Sequence, residues 1–355
     1  MIVVLFIILY LYAVVIDTNN NYARNKKYRN QILVFICLIL AFTAGFRDEV
    51  LWADTYIYAH AFKYYTPTIF DIDLSKPLFA YSEKGFYLIS SLIRTFTDNS
   101  TVYFVCISLI TFYYLYKFFK KDCIYPLLGV CVYLARFYEG RNMMQIRGAL
   151  AIPIVLLATE YIVQKKIWKF LLVVFIAYHI HHSTIIVIPI YFLYNYVDIK
   201  KKHIVIGLII AYAIAIIMGV SMRTWLRSFS FVQEMAYSYV QESNSKSYGL
   251  GLSNIMIYYQ TALLLLYTFL EKRLAPLSKY YYVIRDDYFY STVILITLSQ
   301  FAILSSRLAT IYATYECALI PVLVFSFNKK ERIFAFIGIG FVLTTFFYLN
   351  MKTHM

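Results

Sequence analysis

The sequence predicts an all-α polytopic membrane protein with about 12 transmembrane helices. Three observations lead there. Hydrophobic residues make up 61% of the 355 residues, charged residues only 15%, and mean hydropathy is +0.65; soluble domains are about a quarter charged. Apolar segments of near-span length recur along the whole chain. The loops between them alternate between lysine-rich and nearly neutral, as membrane orientation requires.

Taken in order, the segments near 1–16, 31–46, 101–116, 123–138, 143–162, 169–181, 183–197, 204–220, 255–270, 288–304, 309–327 and 333–350 read as spans. The first lacks a basic leader and a small-residue cleavage site, so it reads as a span and not as a cleaved signal. Loops after the odd-numbered spans read YARNKKYRN, KFFKKD, VQKKIWK, DIKKKH, EKRLAPLSKYYYVIRDD and NKKER. All six are basic, which places them in the cytoplasm and both termini on the outer face. The formal charge of +14 is therefore a topology signal. It falls in short clusters, not along one soluble face, and predicts no nucleic-acid partner.

Residues 1–355 are read as a single transmembrane domain with two long outer interruptions, 47–100 and 221–254. The first contains EKGFYLISSLIRTF, in which Phe86, Leu88, Ile89, Leu92, Ile93 and Phe96 recur at helical spacing. At about 14 residues it is short for a span and is predicted to be an amphipathic helix at the outer lipid boundary. The second, with Arg223 and Arg227, combines an amphipathic stretch with a Ser/Gly-rich turn and reads as a possible lid.

The predicted outer face favours arginine and the cytoplasmic face lysine. A guanidinium fork suits two-point binding of phosphate or carboxylate, so an anion is expected on the outer side. Arg47, Arg136, Arg141, Arg147 and Arg307 lie at that level, with Glu316 deeper in the eleventh span. For Glu316 the alternatives are a functional acid and an ion pair between helices. Asp48, Glu49, Asp54 and Glu83 supply carboxylates on the same side, of which Asp54, flanked by Trp52 and Tyr58, stands out. His179, His181 and His182 mark the outer hairpin of spans six and seven, where a histidine can bind phosphate or relay a proton. No further ligand at metal spacing accompanies them, and the five cysteines form no CxxC pair, so neither a metal site nor a disulfide is expected.

The ordered motifs GFRDEVLWADTYIY, SEKGFYLISSLI, QIRGALAIPIVLLA, IAYHIHHSTIIVIP and SRLATIYATYE resemble those of the EpsG family of bacterial polysaccharide proteins, relatives of the Wzy O-antigen and capsule polymerases. The matching positions are Gly45 with Arg47, Asp54 with Tyr58, Glu83 with Gly85 and Phe86, Arg147 with Ala151, His181 with Ser183 and Pro189, and Arg307. Leu51, Trp52 and Ala53 precede Asp54 where a small residue is frequent, and Thr184 stands where alanine is common.

The resemblance implies a membrane-embedded glycosyltransferase of the C class (GT-C-like) in the bacterial inner membrane. Its substrate would be an oligosaccharide repeat unit on undecaprenyl diphosphate, with the growing glycan passed to the non-reducing end of another lipid-linked unit. Partners would be membrane lipids, a chain-length regulator and a flippase, and no cofactor or metal is expected. On this reading Arg47, Arg141, Arg147 and Arg307 hold the diphosphate, His181 assists there or in proton transfer, and Asp54 or Glu83 takes the acceptor proton. An O-antigen ligase, a flippase for the same lipid and a membrane acyltransferase are the competing readings.

Overall fold

The computed structural model describes residues 2–18, 26–52, 54–76, 82–218 and 251–352. Among the described residues the chain is all-helical and has no strand. Arg223, Arg227 and nearly all of the predicted lid at 221–254 lie outside them.

Apolar helices α1 (Ile2–Thr18) and α2 (Lys26–Gly45) open the chain. Two short helices follow, α3 (Thr55–Tyr64) and α4 (Lys84–Arg94). Helix α5 (Ser100–Asp122) begins where the Asn99 side chain accepts the Val102 amide at 3.1 Å, a standard N-cap. Helix α6 (Pro126–Tyr133) starts on a proline, whose missing N–H costs nothing in a first turn, and runs into a π-helix over Leu134–Met144.

Next come α7 (Ile146–Leu156), prolonged by Thr159–Val163, and α8 (Ile167–Ile180). A 3₁₀ turn, His182–Val187, precedes α9 (Ile188–Tyr196), and α10 (Lys201–Met218) follows. Asn254 caps α11 (Ile255–Phe269). The last helices are α12 (Tyr281–Thr297), α13 (Ala302–Ala313), α14 (Glu316–Phe325) and α15 (Lys329–Lys352).

Helices stand near the positions of the predicted spans, yet among the described residues four are long and apolar enough to cross a membrane unaided: Lys27–Gly45, Ser100–Asp122, Ile146–Val163 and Lys329–Lys352. A fifth results if α13 and α14 form one interrupted span. Ile2–Thr18, Ile167–Ile180 and Ile255–Phe269 are shorter apolar helices, and α6 and α9 adjoin the π-helix at 134–144 and the 3₁₀ turn at 182–187.

The chain forms two compact units. The first comprises Met1–Ala158, Leu172–His181 and Glu316–Met355. In it α2 packs along α5, α5 against α7, and α6 against α1 and α14, while α15 supports the π-helix. Gly45 permits the close approach of α2 to α5, since a Cβ there would lie 2.6 Å from Val105 Cγ2 and 2.8 Å from its Cα. Arg136 on the π-helix forms an ion pair with Glu316 at 2.9 Å, and Glu316 is fully buried. Of the two readings left open for Glu316, the structure shows the pair.

The second unit comprises Thr159–Leu171 and His182–Tyr315. It is built around α12, which contacts α9, α10, α11 and α13. Ser291 and Thr292 on α12 are buried and satisfied by carbonyls, Ser291 donating to Ala309 at 2.6 Å and Thr292 to Tyr288 at 2.8 Å.

Candidate functional site

The segment between α2 and α5 is held down by its own polar residues. Asp48 accepts the amides of Val50 and Leu51 at 2.7 and 3.1 Å, Glu49 accepts from Ser100, Asp71 accepts from Thr68, and Asp73 accepts from Ser75. These carboxylates close turns or tie the segment to α5. Thr55 fastens α3 to the end of the π-helix, donating to the Met143 carbonyl at 2.9 Å.

Helix α4 forms where amphipathic periodicity predicts it, at 11 residues. Its buried face is Phe86, Tyr87, Ser90 and Ser91, with Ser90 3.2 Å from the Tyr103 hydroxyl on α5. Leu88 and Leu92 remain exposed. The apolar stripe is thus divided between a polar helix contact and an outward face, because Tyr103 offers Ser90 a partner that lipid cannot.

Gly85, in the first turn of α4, lies against the end of α8. A Cβ there would sit 2.7 Å from the His179 carbonyl oxygen and 2.9 Å from its carbonyl carbon. This contact sets Glu83 beside His181, whose Nδ1 is 3.1 Å from Glu83 Oε1. The other carboxylate oxygen accepts from Arg147 Nη1 and from the Ser82 hydroxyl, the latter at 2.9 Å.

Arg147, in the first turn of α7, is gripped from three directions. Nε donates to the Tyr58 hydroxyl at 2.9 Å, and Nη1 donates to Ser82 at 3.0 Å as well as to Glu83. Nη2 has no hydrogen-bond partner among the described residues, and the side chain is 20% exposed. The guanidinium is therefore fixed in direction while one N–H₂ edge stays open. Burial alone pushes the Glu83 carboxyl up, but the His181 hydrogen bond and the Arg147 charge outweigh it and hold the group well below the usual carboxylate range. Glu83 is 3% exposed and ionised at any physiological pH.

Arg47 occupies a second buried position. It is 7% exposed, stacks 4.0 Å over the Phe104 ring and donates through Nη1 to the Asn142 carbonyl. Nε and Nη2 are buried without a hydrogen-bond partner among the described residues. Burial pushes its pKa down to about 10, against the stabilising neighbourhood of Tyr103, Tyr138 and Tyr58. Tyr58 consequently lies within electrostatic reach of Arg47 and in contact with Arg147.

Asp54 is the exposed residue preceding α3, in the left-handed region at φ 64°. Its charge acts on Tyr58, and its side chain makes no capping bond. Arg141 is buried on the π-helix, stacked 4.4 Å from Phe137 and bonded to Tyr133. Arg307 is a half-buried residue of α13 in the second unit.

The first unit thus unites Glu83, Arg147 and His181 directly, and Tyr58 and Ser82 complete the cluster. A role for Tyr58 was readable from its place four residues after Asp54, one helical turn along the same face. Ser82 carried no signal. Among the described residues no group of three or more His, Cys, Asp or Glu side chains is arranged to hold a metal ion.

A model of the EpsG family matches residues 30–355, which include every residue of this cluster. The chain belongs to the EpsG family. No curated protein and no solved structure matches it. EpsG membership brings the likeness to Wzy-type polysaccharide polymerases noted from the motifs, and gives the buried Glu83–Arg147–His181 cluster a family context of glycan assembly at a membrane.

Proposed function

We propose that this EpsG-family chain is a polysaccharide polymerase of the bacterial inner membrane. It transfers a growing glycan from undecaprenyl diphosphate to the non-reducing end of another lipid-linked repeat unit, on the outer face. In this reading twelve spans of GT-C-like architecture put both termini outside, and a flippase and a chain-length regulator work alongside.

The observation that supports it best is the presentation of Arg147. A guanidinium fixed by Tyr58 and Glu83, with Nη2 left open, is preorganised for an anion that gains charge as its bond to sugar breaks. At about 4 Å and an effective dielectric near 20, one such charge is worth about 4 kcal/mol against a unit negative charge. Arg47 has two buried nitrogens, Nε and Nη2, to offer to the same diphosphate, and Arg141 is assigned to it as a supporting cation. The arginines carry the neutralisation in this scheme, which needs no metal ion or cofactor.

Glu83 is assigned as the orienting residue. A carboxylate held this far below its usual range is a weak base, whereas its contact with Nδ1 fixes the His181 ring. The acceptor hydroxyl proton then goes to His181 or to the exposed Asp54. The test is polymerisation of purified lipid-linked repeat units by the detergent-solubilised full chain. Arg147→Ala is expected to lower the rate at least about 100-fold. A wild-type rate would overturn the assignment, and transfer to lipid A core in place of a second lipid-linked unit would make the protein a ligase.

A further inference from the structure

Three of the six lysine-rich loops meet in one place. In the second unit, the turn after Thr159–Val163, the connection between α9 and α10, and the stretch from Glu271 to the first turns of α12 line an open cavity of about 640 Å³. The size is that of a small-ligand site. Their charge alone predicts that these loops share one membrane face.

Four cations and three carboxylates line the cavity. The carboxylates are all engaged: Asp198 with Lys200 at 3.1 Å, Glu271 with Arg285 at 3.2 Å and Lys201 at 3.8 Å, and Asp286 with Arg285 at 2.8 Å. Among the described residues, Lys165 is the lining cation with no ion pair. One positive charge is therefore left over, at the rim.

The backbone of Lys165 is unusual as well. Its N–H bonds to the Ile162 carbonyl at 3.1 Å and that of Lys166 to Tyr161 at 2.9 Å, closing the helix at φ 55°. Glycine is the usual residue in such a closure, and an L side chain there is disfavoured. A lysine at this point costs local stability and returns none through pairing, while its direction is set by the closed turn. Tyr282 lines the cavity at 48% exposure, and the same loops carry the exposed Trp168, three residues after Lys165, and Tyr196, between the lining residues Asn195 and Val197. Aromatic side chains of this kind mark the headgroup level of a bilayer.

We propose that this cavity binds the phosphate of an anionic phospholipid headgroup from the leaflet bordering the lysine-rich loops, with Lys165 as its principal cation. Basic pockets between membrane helices on the cytoplasmic side are suited to such headgroups. The paired carboxylates do not repel the phosphate, because their charge is already matched by Lys200, Lys201 and Arg285. A soluble phosphate ester shares this chemistry and is separated by competition.

The test is native mass spectrometry of the full chain in detergent, titrated with phosphatidylglycerol and, separately, phosphatidylcholine. Phosphatidylglycerol should be retained preferentially. Lys165→Gly and Lys165→Gln should each weaken its retention about five-fold, the worth of one lysine at a lipid surface, while Lys165→Arg keeps it. Lys165→Gly should leave the thermal midpoint unchanged or higher, since it relieves the left-handed strain, so its loss of lipid would not reflect misfolding. Equal retention of the two lipids, or wild-type retention by Lys165→Gly, would overturn the proposal. Displacement of phosphatidylglycerol by millimolar glycerol 3-phosphate would support the phosphate site and transfer it to a soluble source.

Discussion

Replacing Glu83 with glutamine removes the charge that Arg147 and His181 share but keeps the shape of the side chain. Breaking a buried ion pair by deleting one partner costs about 3–5 kcal/mol, and an exposed pair is worth less than about 1 kcal/mol. Glu83 is 3% exposed and its partners' side chains 20% and 14%, which places Glu83→Gln near 3 kcal/mol. For a chain longer than 250 residues, that lowers the midpoint of thermal unfolding by about 5 °C. Intrinsic fluorescence of the detergent-solubilised protein at pH 7 measures it.

Two further readouts separate this from a general packing defect. Because Glu83 is depressed in the folded protein, its contribution is fully present above its unfolded value near pH 4.3 and is lost as the pH falls through the lower folded value. The gap between wild type and Glu83→Gln should therefore narrow by about 1.4 kcal/mol per pH unit below about pH 4.3. In addition, Glu83→Gln with Arg147→Met should cost little more than either change alone, as expected for directly coupled residues. A gap that persists unchanged to pH 3, or strictly additive losses, would refute the reasoning.

Gly85→Ala should destabilise the protein by about 1–3 kcal/mol and slow transfer, because its Cβ meets the His179 backbone at 2.7 Å, whereas Gly148→Ala, whose Cβ would stand 3.6 Å from the His181 ring, should leave the thermal midpoint near wild type. Glu316→Gln strands Arg136 in an apolar interior and should cost about 3–5 kcal/mol, read as a lower yield of folded protein on size-exclusion chromatography; adding Arg136→Met should restore it. Arg47→Lys keeps the charge but gives up the planar fork, so polymerisation should fall about 10-fold or more while the thermal midpoint moves by only a few degrees.

Helix positions were legible because a bilayer imposes a coarse rule, apolar length between charged loops, that survives without knowing what packs on what. The breaks were not legible. Nothing in LARFYEGRNMM marks a π-helix, since its polar centre, EGRN, reads as a turn between the spans near 123–138 and 143–162; the widened turn is visible only once Tyr133 donates to Asn142 Oδ1 at 2.7 Å and Gln145 reaches back to Gly140. The outer acids were legible as a group and not individually, because turn-closing carboxylates such as Asp48 and a bridging one such as Glu83 share a residue type and a membrane side. What distinguishes them is burial, and burial of Glu83 depends on Gly85 meeting a helix nearly a hundred residues away.

That dependence bears on the reaction. An arginine that waits for a diphosphate at a lipid boundary would, if mobile, fold back onto lipid phosphates and lose rotamer entropy on each productive encounter. Arg147 has given up that freedom on folding: Tyr58 fixes Nε, Glu83 and Ser82 fix Nη1, and among the described residues Nη2 has no partner. The same carboxylate settles the orientation of the His181 ring. On the proposed reading, one buried negative charge aligns a cation for the leaving group and an imidazole for the proton, and substitution at Glu83 should disturb both together. Transfer by Glu83→Gln should fall about 100-fold, as loss of productive alignment implies, with a KM that changes much less than kcat; a rise confined to KM would mean that Glu83 serves binding alone.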